Sequence, residues 1–275
     1  MTTTVIKENY EPIKGKIAVF IMSFNGDTPC LKQCLRGIEQ QIKKGHNMEV
    51  YICDDANNPI TDNDIINNYN YTKTYFQRNG NLNGSECSLG MLIEMLKVAR
   101  MSKAEYIMKV DSDMFIRSLD RFMKPLEENE KSVVGFRLTN CMNYAAGVTY
   151  ILPTEGLFNT IKNFFKWYRE EKDNDDRWIE HCPEDWAITR SVAALNEYPL
   201  IQWDNATSPD FWLMSPFNYE EVNENGQMSP LTLSRFQLYD FVNFGNRYEL
   251  TVDNPREFAG AVMKKFVDFD LNNDF

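Results

Sequence analysis

Asp111 and Asp113 stand two residues apart at the end of the apolar run Tyr106-Ile107-Met108-Lys109-Val110. In an extended segment residues i and i+2 project to the same side, so both carboxylates would face one small volume while Ser112 faces the other. Two hard oxygen donors in one cleft suit Mg²⁺ or Mn²⁺, and such a cation can in turn hold a diphosphate. A solvated turn would also place Asp after a strand. Position separates the two readings: the preceding run is apolar, and three other strand ends reach the same edge, where open α/β sheets bind ligands.

Further groups belong to the same edge. Ser23-Phe24-Asn25 directly follows the first apolar run and offers an aromatic face with hydroxyl and amide groups. No Gly-x-Gly-x-x-Gly accompanies it, so a dinucleotide site is unsupported. Asp54-Asp55 follows the second run; adjacent residues point to opposite sides, so at most one carboxylate faces a ligand. Arg78-Asn79, with Gly84 before the next helix, would bring a cation and backbone N–H groups to a phosphate. Glu184-Asp185 follows Pro183 at a helix start. Acids there favour the helix dipole by about 0.3–1 kcal/mol whatever else they do; at a pocket mouth they would also supply a general base.

The elements that must position these groups are legible as alternating periods. Residues 16–22 (KIAVFIM) read as a strand buried on both faces. Thr28-Pro29 predicts a helix start, with Thr28 as N-cap, an apolar stripe at Leu31, Leu35, Ile38 and Ile42, and a stop at Gly45. Strands are predicted at 48–53, 73–77 and 105–110, with a helix over 86–99 presenting Leu89, Leu92, Leu96 and Ala99. Residues 132–138 and 147–152 read as strands, and helices are predicted from Thr154, Pro183 and Pro255, the last with Phe258, Val262 and Phe266 apolar. Strands alternating with helices imply right-handed βαβ units and an α/β fold with a mostly parallel central sheet flanked by helices. The expected organisation is one domain over 1–204, with a Rossmann-like nucleotide-binding half at about 16–115 and a mixed acceptor half at 116–204. Residues 205–275 form a C-terminal extension packed on it.

Composition narrows the partners. The chain of 275 residues has 29 basic and 40 acidic side chains, a net charge of −11. That disfavours nucleic acid or anionic membrane, where phosphate neutralisation needs clustered Lys and Arg. Six cysteines, with no Cys-x-x-Cys pair, read as buried thiols in a reducing compartment. With only two histidines, His46 and His181, a zinc centre has no ligand cluster. The start lacks a basic-then-apolar leader, and no apolar run approaches the ~20 residues that span a bilayer, so a cytoplasmic protein without a membrane span is expected.

Taken in order, these residues resemble the nucleotide-sugar glycosyltransferases of the GT-A fold, in their family-two-like branch. That family opens with a strand ending in Thr/Ser-aromatic-Asn, here Ser23-Phe24-Asn25; its second strand ends in Asp-Asp-Gly-Ser or similar, here Asp54-Asp55-Ala56-Asn57. Arg78-Asn79-Gly80 and Asn83-Gly84 stand where the family has Arg-x-x-Asn-x-Gly, Asp111-Ser112-Asp113 is its Asp-x-Asp, and Glu184-Asp185 its acidic pair at a helix start. The resemblance covers about residues 16–200.

It implies metal-dependent transfer of a hexosyl or pentosyl group from a nucleotide-diphosphate sugar to an acceptor hydroxyl, with inversion. Ser23, Phe24, Asn25 and Asp54 or Asp55 would hold the nucleotide base, with Arg78, Asn79 and Gly84 near base or diphosphate. Asp111 would approach the ribose or the metal shell, Asp113 would bind Mn²⁺ or Mg²⁺ directly, and Asp185, supported by Glu184, would deprotonate the acceptor. The acceptor is a glycan or another hydroxyl compound; DNA is disfavoured by the acidity. Two departures stand out: Ala56-Asn57 replaces Gly-Ser, and no His follows His181 as a further metal ligand, so Asp204, Asp210 or water would take that place. The alternatives are a non-catalytic nucleotide- or carbohydrate-binding module on the same scaffold, and a sugar nucleotidyltransferase. Against the latter, Phe24-Asn25-Gly26-Asp27 lacks the basic loop residue such enzymes use.

Overall fold

The structure is a computed structural model that describes residues 10–74, 85–137, 145, 147–160, 184–203, 212–214, 233, 237–244 and 254–272. Strand β1 (Ile13–Ser23) leads through a short 3-10 turn (Asn25–Asp27) into α1 (Thr28–Lys43). Then follow β2 (Met48–Asp55), α2 (Asn63–Asn68), β3 (Asn70–Thr74), α3 (Ser85–Ser102) and β4 (Ala104–Asp111). A second run comprises β5 (Met114–Ile116), α4 (Asp120–Glu128), β6 (Val133–Phe136), β7 (Thr149–Pro153) and helical residues 154–160, here α5. Helix α6 (Glu184–Ala193), β8 (Leu200–Trp203), β9 (Trp212–Met214), β10 (Phe241–Asn243) and α7 (Pro255–Asn272) complete the order.

Seven strands form one sheet in the order β3-β2-β1-β4-β7-β6-β8. The first four run parallel, β7 is antiparallel to both β4 and β6, and β8 rejoins β6 in parallel. A smaller sheet, β5-β10-β9, sets β10 antiparallel to β5 and parallel to β9. This is the α/β arrangement with a mostly parallel, helix-flanked sheet that the alternating periods predict.

Period-two alternation sorts each central strand between two cores. Ile17, Val19 and Ile21 of β1 join Val50 and Ile52 of β2 on the face covered by α1 and α7. Ala18, Phe20 and Met22 join Tyr51 and Cys53 on the opposite face, with Met91, Met95 and Val98 of α3 and Ile188 of α6. Helix α1 buries Leu31, Cys34, Leu35 and Ile38 at helical spacing, whereas Ile42 near its end is 40% exposed. Gly45 terminates the helix as expected, at φ +105°, a left-handed conformation costly for any residue with a Cβ.

Several boundaries differ from the sequence reading. Thr28 is the first helical residue, not the cap; Asp27 occupies the cap without a side-chain cap bond, and the Thr28 hydroxyl donates to the Asn25 carbonyl at 2.8 Å. Strand β2 runs on through Asp54 and Asp55, which pair with Lys73 and Thr74 of β3. Strand β3 begins at Asn70, earlier than the run from Lys73 suggests, because this edge strand is mostly exposed and carries no apolar alternation. Residues 75–77 lie outside the described residues, as does the side chain of Leu89.

Helix α7 sends Ala259, Val262, Met263, Phe266 and Val267 into the same core as β1. It approaches α1 tightly at Gly260, where an added Cβ would lie 2.3 Å from Pro29 Cβ and 2.9 Å from the Pro29 carbonyl carbon. Backbone cannot yield as a flexible side chain can. Gly260→Ala should therefore overpack this contact and cost about 1–3 kcal/mol, read as a lowered Tm in thermal denaturation; an unchanged Tm would show that the helices separate freely.

Candidate active site

Parallel register brings the candidate residues to one edge. Ser23 pairs with Asp54 across β1 and β2, and Met22 of β1 pairs with Asp111 of β4, so three chain segments deliver polar groups side by side. Ser23 and Asp54 are buried, and Ser23 Oγ and Asp54 Oδ1 find no hydrogen-bond partner among the described residues.

Asp111 and Asp113 reach the edge differently from the extended-strand expectation. Strand β4 ends at Asp111, and Ser112-Asp113 form a turn into β5, so strict alternation does not set their relation. Asp111 keeps the period of β4, and its carboxylate is ion-paired with Lys109, two residues back. Its backbone N–H donates to the Val148 carbonyl at 2.9 Å. Asp113 is held from the other side: Asn243 Nδ2 of β10 donates to its Oδ1 at 3.1 Å, and Phe244 N–H donates to its carbonyl at 2.9 Å. Its carboxyl is pushed up to about 7, by burial first and then by the negative charges of Asp111 and Asp27, with Arg256 and Lys109 opposing. Beneath the pair, burial raises the thiols of Cys30, to about 12, and Cys34, with Asp113 adding to both. Neither thiolate forms near neutral pH, so neither of these two cysteines is poised as a nucleophile.

Neighbouring carboxylates, only partly offset by Lys109 and Arg256 and oriented by an amide, are chemistry that a hard divalent cation satisfies. Among the described residues no group of three or more acid, His or Cys side chains is placed to hold a metal alone. Two carboxylates with a diphosphate and water would complete such a shell, so the donor set fits Mg²⁺ or Mn²⁺.

Asp185 comes from a separate element, the first turn of α6, and is buried. Its Oδ2 accepts the Gly147 N–H at 2.6 Å, and its carbonyl accepts the Thr189 hydroxyl at 2.7 Å. Thr189 Oγ1 in turn accepts the Ala145 N–H at 3.0 Å. The Gly147 carbonyl accepts from Lys109. One residue, through the two peptides it joins, therefore touches both the Lys109–Asp111 pair and Asp185. Glu184 begins the helix, its side chain outside the described residues.

At the β1–β2 end the two aspartates diverge, as adjacent strand residues must. Asp54 Oδ2 accepts from the Tyr71 hydroxyl and from Ile60 N–H at 2.9 Å, and burial raises its carboxyl above the usual range, with Tyr71 opposing. Asp55 is partly exposed and accepts Asn57 N–H at 2.9 Å, an Asx turn. Asn25 is exposed, its Oδ1 accepting from Thr61 Oγ1 at 3.3 Å. The Phe24 ring lies under the Arg256 guanidinium, 4.9 Å from centroid to carbon, while Arg256 is ion-paired to buried Asp27. Arg78, Asn79 and Gly84 fall outside the described residues.

Sequence reading passed over Lys109, Gly147, Asn243, Asp27 and Arg256. Two carried a signal: Lys109 is a cation inside an apolar strand at the period of Asp111, and Arg256 is a cation in the first turn of a helix, where the dipole disfavours it.

No protein-family model and no curated protein sequence matches the chain. Solved structures do. The galactosyltransferase LgtC, in complex with donor and acceptor sugar analogs, aligns with 10% identity and a TM-score of 0.50 over 92% of this chain and 95% of that one. The bifunctional glycosyltransferase WbbM, in its apo structure, aligns with 9% identity and a TM-score of 0.50 over 94% of this chain and 50% of that one. The fold expected from the order of the motifs, that of the GT-A glycosyltransferases, is the fold this chain has.

Proposed function

We propose that the protein transfers a hexosyl or pentosyl group from a nucleotide-diphosphate sugar to an acceptor hydroxyl, with inversion at the anomeric carbon. The observation that carries this reading is the approach of the Lys109–Asp111 pair and Asp185 to the same residue, Gly147, at the carboxyl edge of a GT-A sheet, with Asp113 two residues beyond Asp111. Asp113 and Asp111 would hold Mn²⁺ or Mg²⁺, which when bound neutralises negative charge on the departing diphosphate. Phe24, Asn25 and the accessible Asp55 would receive the base, leaving Asp54 to brace the strand end through Tyr71. Asp185 takes the proton of the acceptor hydroxyl as its oxygen bonds to the anomeric carbon, and the carbon–oxygen bond to the diphosphate breaks with its electron pair leaving on the nucleotide. Ser23, Arg78, Asn79, Gly84 and Glu184 complete the proposed donor and base contacts. The LgtC complex with donor and acceptor sugar analogs supports a two-substrate site on such a sheet. Among the described residues no helix is long and apolar enough to cross a membrane.

A thermal-shift screen of nucleoside diphosphates and their sugars, with and without Mn²⁺, tests the reading. One nucleotide series should raise Tm only when Mn²⁺ is present, and the corresponding sugar donor should be slowly hydrolysed. A flat response across UDP, GDP and their sugars would overturn the proposal. Binding without any turnover would indicate a carbohydrate- or nucleotide-binding module instead.

A further inference from the structure

We propose that Lys109 is a positioning residue that fixes the spacing between the donor-side carboxylate Asp111 and the base Asp185, acting through the backbone of Gly147. The inference rests on the transferase reading above. Lys109 lies in β4 with 1% of its surface exposed, surrounded in sequence by Ile107, Met108 and Val110, all fully buried. An ammonium in such a place is tolerated only when its charge and its donors are met. Here it meets two acceptors that belong to different parts of the site: the Asp111 carboxylate and the Gly147 carbonyl. Across that same glycine, the N–H points to Asp185 at 2.6 Å. Ammonium to carbonyl, across the Gly147 Cα, and N–H to carboxylate, these links join two acids 74 residues apart (185 minus 111) through the two peptides that meet at one residue.

The surrounding backbone keeps that residue still. Val148 O accepts Asp111 N–H at 2.9 Å, and Thr149 Oγ1 donates to the Lys109 carbonyl at 2.7 Å, which ties the start of β7 to the end of β4. On the other side Ala145 N–H reaches Thr189 Oγ1 at 3.0 Å, which ties the segment to α6. Burial obliges the ammonium to find acceptors besides Asp111, and the one it finds is on the residue whose N–H holds Asp185.

The two arms predict different kinetic signatures. Lys109→Met keeps the stem and removes the charge; removal of a partner that orients a metal-binding carboxylate typically weakens metal affinity or activity about 10–100-fold. Lys109→Met should therefore weaken Mn²⁺-supported binding of UDP or GDP, whichever the thermal-shift screen selects, by about 10–100-fold in calorimetry, and lower kcat as well. In an Asp111→Asn background the affinity effect of Lys109→Met should vanish, because both act through one carboxylate. The loss in kcat should persist there, because the Gly147 arm to Asp185 is still cut. The double variant also removes the ion pair as a unit, so it stays folded if Lys109→Met alone does not. Wild-type nucleotide affinity and kcat in folded Lys109→Met, or affinity losses that simply add in the double variant, would overturn the proposal while leaving the transferase reading intact. A wild-type chain that binds no nucleoside diphosphate with Mn²⁺ would sink both.

Discussion

Asp113→Asn should make the metal-free protein more stable and the enzyme nearly inert. The carboxyl is raised from 3.8 to about 7 by burial and by the charges of Asp111 and Asp27. Between those values the native chain keeps a proton that the unfolded chain has released, so stability falls as pH rises through that window and the loss is complete above about 7. Asparagine carries no such penalty and retains an oxygen to accept from Asn243. In EDTA the variant's Tm should exceed that of wild type by several degrees at pH 8, by less at pH 5, and by nothing near pH 4. Transfer activity with Mn²⁺ should meanwhile drop about 10²–10³-fold, the scale of several kcal/mol of lost charge stabilisation. Stability gained as function is lost is the signature of charge kept for a ligand. A variant that is less stable than wild type at pH 8, or that transfers sugar at the wild-type rate, contradicts the assignment.

Asp185→Asn should separate binding from chemistry. The amide oxygen can still accept the Gly147 N–H, so the loop stays in place, but the side chain no longer takes a proton. kcat should fall about 10²–10⁴-fold, the usual contribution of a general base, while calorimetry shows unchanged affinity for nucleoside diphosphate and Mn²⁺. A loss of affinity with kcat intact would move Asp185 from the acceptor side to the donor side.

The contrast between these two acids shows what local sequence carries and what it does not. The strands that bear Ser23, Asp54 and Asp111 were readable because a parallel sheet buried on both faces demands continuous apolar runs, and their carboxyl ends follow from topology alone. Asp113 was placed by the wrong rule. Its position depends on β5 pairing with β10 and on Asn243, 130 residues away, and nothing within a strand-length window encodes such a partner. The same holds for Asp27, fixed by Arg256 from a helix 229 residues further on. The start of edge strand β3 was placed at Lys73 and not at Asn70 because exposure removes the apolar period. Lys109 was visible but was read as a strand residue, since its meaning lies in Gly147, which only the β4–β7 register brings beside it.

Helix α7 completes the core beneath β1 with Ala259, Val262, Met263, Phe266 and Val267. During translation the part of this core that α7 covers stays open until residues 255–272 have left the ribosome. Nascent chains stalled before that point are the ones a chaperone would be expected to hold.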